Sequence, residues 1–328
     1  MKLLNINIPI YPKSKTLNKN RKRVFYVNDT QDGTSGFFLI SAIKLFSEKS
    51  KFCEIEVFEH DFFGKVLRID GSFQTSELDE FLYHEPLVQF ALFASKDPKN
   101  VLIIGGGDGG SLEEVVKHKD INNITMVELD EKVIEVSKKY LKNIHKNSFY
   151  DKRLKLIIND GMKFLKDTPE KFDVVILDLT DPSGESLKLY TKEFYETVKN
   201  ALNVGGIVSL HTESYLFYPK MFGRIINTLK KVFKYVSPHG NDVPLYGGTI
   251  SFALCSDSVN FNRLSIKTIE QRYIKKNIPN LKYFTPDILI SSLQLPKYVK
   301  EAISNNKKII TTRNQLKEGK GGLWEEKW

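Results

Sequence analysis

The stretch VLIIGGGDGG, residues 101 to 110, decides the fold of the chain around it. Four apolar residues predict a buried strand, and the glycines that follow predict a tight turn that opens a helix. Gly105, Gly107 and Gly110 fit the spacing G-x-G-x-x-G, which in this setting indicates a nucleotide-type ligand. NAD enzymes, flavoproteins and adenosylmethionine-type enzymes all use such a turn, so the turn alone leaves the ligand class open.

Asp108 narrows the choice of ligand. A dinucleotide places its pyrophosphate over the helix N-terminus, where an ionised Asp108 would oppose the phosphate charge. Glu128 ends the next predicted strand about 20 residues later, where an acidic side chain receives ribose hydroxyls. Together they predict a nucleoside without phosphate and with positive charge beyond the ribose, such as a sulfonium nucleoside. Two simpler interpretations stay open: Asp108 caps the next helix, and Glu128 is a solvated strand-end residue.

Apolar runs alternate with amphipathic segments from Val101 to about Ser256. Short buried strands separated by helices are typical of a parallel sheet with right-handed crossovers. We therefore predict a doubly wound, Rossmann-like α/β domain over residues 99–257. The predicted strands are VLIIG, ITMVE, LKLII, FDVVILD and GIVSL, and helices are predicted from Ser111, Glu131, Thr191 and Tyr218.

Three further carboxylates follow predicted strands of this domain. Asp160 comes after LKLII, and Asp178 and Asp181 come after FDVVIL. Because ligands of open parallel sheets bind outside the carboxyl ends of the strands, these side chains are expected to meet Asp108 and Glu128 in one crevice. Crowded carboxylates repel one another unless positive charge arrives, so the crevice is expected to receive a cation. Asp160 as a helix cap and Asp181 as a turn residue remain simpler alternatives.

The chain on either side of this domain has a different pattern. CEIEVFEH and GKVLRIDG alternate as antiparallel strands do, which predicts a small β domain over residues 36–98. That domain is expected to end in a linking helix, Asp79 to Ala94, with acidic residues in its first turn. Residues 1–35 are interpreted as an extension of uncertain order, and residues 258–328 as a helical tail that wraps the core or meets a partner subunit.

Composition excludes several classes of protein. Two cysteines, Cys53 and Cys255, are too few for a disulfide framework, and no apolar run approaches the roughly 20 residues that span a bilayer. A cytoplasmic protein without a membrane partner is therefore expected. The net charge of +9 includes one basic cluster, Lys13 to Arg23, which leaves a nucleic-acid-binding alternative open. Because the rest of the excess is dispersed, no nucleic-acid partner is expected.

Several motifs between Phe52 and Ser256 resemble the polyamine aminopropyltransferases, the spermidine synthase family. They are GKVLRIDG, DEFLYHE, VLIIGGGDGG, VVKH, DEKVIEVSKKYL, FDVVILDLTDP and LYTKEFY. The resemblance implies an enzyme that moves the aminopropyl group of decarboxylated S-adenosylmethionine to an amine and releases methylthioadenosine. It also implies a homodimer or homotetramer with no permanently bound cofactor and no metal. An S-adenosylmethionine-dependent methyltransferase, which shares the fold, is the alternative.

The resemblance also implies roles for individual residues. Asp178 would be the catalytic base with Tyr83 beside it, and Asp108 would hold the ammonium of the aminopropyl arm. Glu128 would bind the ribose and Asp160 the adenine amino group. The remaining expected contacts of the nucleoside substrate are Gln74, His84, Gly105, Gly107 and Gly161, and those of the amine acceptor are Asp181, Glu213 and Tyr246.

Three departures from the family pattern concern the substrates. Phe52, Cys53 and Glu54 stand where many relatives have Tyr-Gln-Asp, and HTESYLF, residues 211–217, replaces a QGE-type run. DLTDP replaces DSSDP, a form that resembles members acting on agmatine or making thermospermine. Tyr246, in VPLYGG, matches the family's acceptor-contacting tyrosine, although a strand-edge aromatic is a simpler interpretation. The acceptor therefore stays open among putrescine, agmatine and spermidine.

Overall fold

The fold is described from a computed structural model over residues 23–30, 36–182 and 184–315. Side chains are described from Phe37 onward, except at positions 184 and 185. The basic cluster from Lys13 lies outside the described residues apart from Arg23, and so does the end of the tail from residue 316. Neither prediction about those two segments is therefore addressed by the structure.

The first sheet is antiparallel and has five strands in sequential order. Its strands are β1 (Arg23–Thr30), β2 (Gly36–Lys49), β3 (Glu54–His60), β4 (Gly64–Ile69) and β5 (Ser72–Ser76). The alternating pattern predicted this sheet, but β1 lies within residues 1–35, the stretch interpreted as an extension. Strand β3 is buried on both faces, because Ile55 and Val57 join one apolar cluster while Phe58 joins another.

Helix α1 (Phe81–Ala94) follows the first sheet and is buried from Tyr83 to its end. The prediction of acidic residues in its first turn is wrong, because the helix begins two residues later than Asp79. The two acids serve other contacts instead. The Asp79 carboxylate accepts a hydrogen bond from the backbone N–H of Leu245 (2.8 Å), and Glu80 pairs with His84 one turn into the helix (2.9 Å).

The second sheet has seven strands, and its order is β11-β12-β10-β9-β6-β7-β8. Strands β6 to β10 run parallel, as the sequence predicted, but β11 and β12 pair antiparallel, so the expectation of an entirely parallel sheet is wrong for its last two strands. A hairpin through Pro244 and Gly247 joins them without a crossover helix, which parallel strands require. The strands are β6 (Asn100–Gly105), β7 (Asn123–Glu128), β8 (Leu154–Ile158), β9 (Phe172–Asp178), β10 (Leu202–His211), β11 (Tyr235–Val243) and β12 (Gly248–Ser256).

Helices cover both faces of this sheet, as in other doubly wound folds. Leu102, Val175 and Val208 pack into one apolar cluster, whereas their strand neighbours Ile103 and Ile176 pack into the other. Such near-continuous apolar strands are typical of a parallel sheet that is covered twice. The helices are α2 (Gly110–Val116), α3 (Glu131–Tyr140), α4 (Lys142–His145), α5 (Gly161–Asp167), α6 (Lys192–Asn200), α7 (Pro219–Val232), α8 (Ile266–Lys276), α9 (Pro286–Ser292) and α10 (Lys297–Asn305).

The C-terminal segment is attached to the core by specific contacts. Both carboxylate oxygens of the buried Glu85 on α1 accept backbone N–H groups, from Lys282, Tyr283 and Phe284. The Asn227 amide on α7 donates to the carbonyl of Ile303 (2.7 Å). Among the described residues, no helix has both the length and the apolar character that a membrane crossing requires.

Candidate active site

The site lies where the sheet order changes direction, between β6 and β9. From β6 the chain moves outward to β7 and β8 and then returns to β9 on the other side. In open α/β sheets such a point is where ligands bind, in a crevice outside the carboxyl ends of the strands. Gly105 and Asp178 end these strands and are direct partners in the parallel register. The glycine turn and the DLTDP loop therefore start from adjacent positions.

The glycines of the turn allow close approach of neighbouring groups. Gly105 has a φ of +83°, and a Cβ there would lie 2.1 Å from the carbonyl oxygen of Asp178. A Cβ on Gly110 would lie 2.1 Å from the ring of His84. Gly107 lies against Glu128, whose carboxylate would be 3.1 Å from an added Cβ. These three glycines bring β9, α1 and the end of β7 against one turn.

Four side chains form the inner cluster: Tyr83, His84, Asp108 and Asp178. The Tyr83 hydroxyl donates to Oδ1 of Asp178 at 3.1 Å, and Nε2 of His84 lies 3.5 Å from Oδ2 of Asp108. Oδ2 of Asp178 is buried and has no hydrogen-bond partner among the described residues. Asp178 therefore has one oxygen held by Tyr83 and one without a hydrogen bond to a described residue, while the nearby Ser111 hydroxyl lowers its pKa.

His84 already supplies a positive charge to this crevice. Its ring is 1% exposed and lies between Glu80, 2.9 Å from Nδ1, and Asp108. Burial alone lowers the pKa of His84, but the carboxylates of Asp108 and Glu80 outweigh burial and raise it well above the ordinary value. Burial likewise raises the pKa of Asp108, and His84 reverses that shift to a net lowering. The sequence-based expectation that all compensating charge comes from a ligand is therefore incomplete.

The pKa values of Asp178 and Glu128 are raised, unlike that of Asp108. Burial, with a smaller contribution from the charge of Asp108, raises the pKa of Asp178 to about 6. Burial raises the pKa of Glu128 to about 7, although its Oε1 accepts the backbone N–H of Asp130 at 3.0 Å. Both groups are thus poised to change protonation near neutral pH, which is the range a general base requires.

Asp181, His211 and Glu213 form the outer cluster. Asp181 lies in the loop after β9, His211 ends β10, and Glu213 lies two residues beyond it. One donor atom of each falls within 4.8 Å of the others. Glu213 has a φ of +71°, a left-handed conformation that is uncommon for residues other than glycine. Burial first, and then Asp181, raise the pKa of Glu213 well above its usual range.

Two predicted residues join the first sheet to the wall of the site. The Tyr246 hydroxyl donates to the backbone carbonyl of Gln74 at 2.6 Å, and its ring lies edge-on to Tyr83 with centroids 6.0 Å apart. Tyr246 belongs to a short 3-10 helix between β11 and β12, so the strand-edge interpretation is wrong. The side-chain amide of Gln74 donates to the carbonyl of Ser72, on its own strand.

Asp160 lies apart from the two clusters. Its side chain caps α5 by accepting the backbone N–H of Lys163 (3.0 Å) and pairs with Lys188 (3.1 Å). The simpler interpretation as a helix cap is therefore correct, and it leaves the proposed contact with adenine untested. Gly161 follows it, and an added Cβ there would lie 2.5 Å from a methyl carbon of Ile104 on β6. The cap interpretation of Asp108 also holds, since its Oδ1 accepts the N–H of Gly110 (2.8 Å).

Three residues of the site were not among those predicted: Glu80, Tyr190 and His211. Glu80 and His84 are four residues apart, so the i, i+4 spacing on a predicted helix was a usable signal. Tyr190 and His211 carried no such signal, because their 2.8 Å contact joins residues 21 apart in the chain.

Each cluster also offers three donor atoms close enough to bind one cation: His84, Asp108 and Asp178 in the first, and Asp181, His211 and Glu213 in the second. Histidine and carboxylate ligands are typical of zinc and iron sites. In the inner cluster, however, Nε2 of His84 faces Asp108 and Nδ1 faces Glu80, so both ring nitrogens already contact carboxylates. The expected absence of a metal stays a prediction.

Comparison with known proteins identifies two domains in the chain. The spermine/spermidine synthase domain matches residues 80–265, and the spermidine synthase tetramerisation domain matches residues 34–77. The two matches meet just before α1, whereas the boundary predicted from the sequence lies near Pro98. That prediction stays open.

Individual proteins agree with this result. The polyamine aminopropyltransferase of Sulfurisphaera tokodaii is 43% identical over 77% of this chain and 85% of its own length, and that of Nitrosomonas europaea is 36% identical over 86% of each. A spermidine synthase solved with the transition-state analogue AdoDATO superposes with a TM-score of 0.82 at 31% identity, covering 89% of this chain and 99% of that one. The spermidine synthase of Thermotoga maritima gives 0.80 at 31% identity, covering 89% and 98%. The chain therefore belongs to the spermine/spermidine synthase family and is a transferase of the polyamine aminopropyltransferase type.

Proposed function

We propose that the protein transfers the aminopropyl group of decarboxylated S-adenosylmethionine to an amine acceptor and releases methylthioadenosine. The observation that carries the proposal is the Asp178–Tyr83 pair, in which the second carboxylate oxygen has no hydrogen bond to a described residue, at the switch point of the sheet. The glycine turn carries the Asp108 carboxylate, which would repel a phosphate and attract a cationic nucleoside. The acceptor is one of putrescine, agmatine and spermidine.

Asp178 acts as the base in this proposal. An alkyl amine resembles lysine, with a pKa near ~10.4, so at neutral pH it is protonated and carries no free electron pair. Oδ2 of Asp178 takes one proton from the bound ammonium while Tyr83 holds Oδ1. The neutral nitrogen then attacks the carbon attached to sulfur. The new C–N bond forms as the C–S bond breaks, and the sulfonium leaves as a neutral thioether.

The other residues bind and orient the two substrates. Asp108 holds the ammonium of the aminopropyl arm, Glu128 the ribose hydroxyls and Asp160 the adenine amino group. Asp181, Glu213 and Tyr246 hold the acceptor, which places its reacting nitrogen beside Asp178. Holding two substrates together in this way removes a large part of the activation barrier of a two-substrate reaction. Gln74, His84, Gly105, Gly107 and Gly161 shape the nucleoside side.

The experiment offers purified protein decarboxylated S-adenosylmethionine with putrescine, agmatine and spermidine together and identifies the products by mass spectrometry. We expect methylthioadenosine and one acceptor enlarged by an aminopropyl group. Adenosylhomocysteine formed from S-adenosylmethionine would instead establish the methyltransferase alternative. That alternative is disfavoured because the carboxylate of S-adenosylmethionine would lie against Asp108.

A homodimer or homotetramer completes the proposal, supported by the match of residues 34–77 to a tetramerisation domain. Light scattering of the purified protein tests it, and a monomer at assay concentration would contradict it. We also propose a cytoplasmic location, with neither nucleic acid nor membrane as a partner.

A further inference from the structure

His211 is a buried residue of the outer cluster for which the proposed reaction gives no role. It is 2% exposed, and one of its ring nitrogens lies within 4.8 Å of donor atoms of Asp181 and Glu213. Nε2 is 2.8 Å from the Tyr190 hydroxyl and 3.8 Å from Oδ1 of Asp181. The ring centroid lies 6.4 Å from that of Tyr83, whose hydroxyl contacts the base.

The hydrogen bonds fix the tautomer of His211. The Tyr190 hydroxyl lies 2.9 Å from the backbone carbonyl of Thr180, and a carbonyl oxygen only accepts. Tyr190 therefore donates its single proton to Thr180 and accepts from Nε2–H of His211. Burial lowers the pKa of His211, which keeps the ring neutral at neutral pH. Nδ1 consequently carries a lone pair.

That lone pair has no hydrogen-bond partner among the described residues, although Nδ1 is buried. Oε1 of Glu213 and Oδ2 of Asp178 are buried and unpartnered in the same way. Nδ1 of a neutral His211 ring can only accept, so it requires a donor from outside the described residues. Buried acceptors without a donor are unfavourable, and native proteins seldom keep them unless a ligand or water completes them. Protonated amines are donors only.

We propose that His211 is an acceptor-binding residue whose Nδ1 takes a hydrogen bond from the second, non-reacting nitrogen of the amine acceptor. The proposal rests on the proposed function. Asp181 and Glu213 balance the charge of that nitrogen, and the neutral imidazole adds an acceptor without adding more negative charge. The site thus selects acceptors that carry a second protonated nitrogen at a distance from the reacting one. Monoamines lack the group that His211 binds.

Two substitutions distinguish a direct contact between His211 and the acceptor from an indirect effect of His211 through its hydrogen bond to Tyr190. In His211→Asn the amide stands near the position of Nδ1 and offers an oxygen there, but Tyr190 loses its donor. In His211→Gln the amide reaches the position of Nε2 and can donate to Tyr190, but the position of Nδ1 is empty. Binding of 1,4-diaminobutane and 1-aminobutane is measured by calorimetry with methylthioadenosine at saturation. The ratio of the two affinities cancels any loss common to both ligands.

We expect His211→Gln to weaken diamine binding about 10-fold, the loss of one hydrogen bond to a charged group, and to leave monoamine binding unchanged. His211→Asn should stay within about 3-fold of the unaltered protein for both ligands. Unchanged diamine affinity in His211→Gln would overturn the proposal. The proposal would also be overturned if His211→Asn or Tyr190→Phe weakened diamine binding as much as His211→Gln does. Either result would assign the effect to Tyr190.

The same samples distinguish this proposal from the proposed function. Absence of aminopropyl transfer by the unaltered protein would refute the transfer reaction, yet the diamine-to-monoamine comparison would still decide the role of His211. If transfer occurs, His211→Gln should raise the KM for the diamine and leave the kcat within about 3-fold, because the base is intact.

Discussion

The inner and outer clusters each contain two carboxyls and a histidine, to which the inner cluster adds Tyr83, but their histidines differ in charge. In the inner cluster His84 lies between two carboxylates and is held protonated. In the outer cluster His211 faces a tyrosine and burial keeps it neutral. The inner cluster thus compensates one carboxylate internally, whereas the outer cluster has no cation of its own among its three residues.

The carboxyl pKa values follow this difference. His84 holds the pKa of Asp108 below its usual value, while burial beside Asp181 raises that of Glu213 far above its own. The ion pair of His84 and Asp108 is preformed, so it keeps its geometry without a ligand. Burial, by contrast, favours the neutral form of Glu213, so binding of a cationic acceptor is expected to release a proton from this group.

The largest expected effect concerns the base of the inner cluster. Asp178→Asn keeps the shape and the contact with Tyr83 but removes the proton acceptor, so the kcat should fall roughly 10³-fold. Affinity for methylthioadenosine should change little, because the nucleoside does not depend on that oxygen. Single-turnover rates and calorimetry on the same sample measure the two effects.

A matched control for Asp178→Asn is Glu170→Gln, which removes an exposed carboxylate whose ion pair with Lys155 is at the surface. Its turnover should equal that of the unaltered protein. Near-normal turnover in Asp178→Asn would show that another group takes the proton.

Asp108→Asn tests the preformed ion pair. The substitution leaves the protonated His84 with only Glu80, and it removes the carboxylate proposed to hold the aminopropyl ammonium. Affinity for decarboxylated S-adenosylmethionine should fall about 10- to 100-fold, whereas affinity for methylthioadenosine, which has no ammonium, should fall far less. Equal losses for the two nucleosides would mean that Asp108 acts only on the shape of the turn.

Glu213→Gln is the corresponding change in the outer cluster. Because burial and Asp181 raise the pKa of Glu213 and so favour its neutral form, the amide resembles the native side chain and the unfolding temperature should change little. Acceptor affinity should nevertheless fall about 10-fold, since the charge that forms on binding is lost. Calorimetry in buffers of different ionisation enthalpy should also show that the proton release disappears. A lower unfolding temperature with unaltered affinity would indicate a structural role.

The parts of the site that follow strand ends were accessible to sequence analysis. Asp108, Glu128 and Asp178 were predicted to meet because carboxyl ends of parallel strands share one edge, and Gly105 and Asp178 are indeed register partners. Contacts that arise only from tertiary packing were not accessible. His211 reaches Tyr190 only through tertiary packing, and the pairing of Asp160 with Lys188 spans 28 residues. The antiparallel hairpin of β11 and β12 was missed because apolar strands of either direction look alike in sequence.

Stability should also depend on pH through two buried carboxyls. The folded-state pKa values of Asp178 and Glu128, about 6 and about 7, lie above the usual carboxyl values of 3.8 and 4.5. Raised carboxyl pKa values favour folding at low pH, and that contribution is lost as pH rises through the folded values. The two groups should therefore lower the free energy of unfolding between about pH 4 and pH 7, on the order of 2–3 kcal/mol for each. Urea unfolding of Glu128→Gln should show a shallower decline over this range, and an identical decline would mean that Glu128 titrates as it does in the unfolded chain.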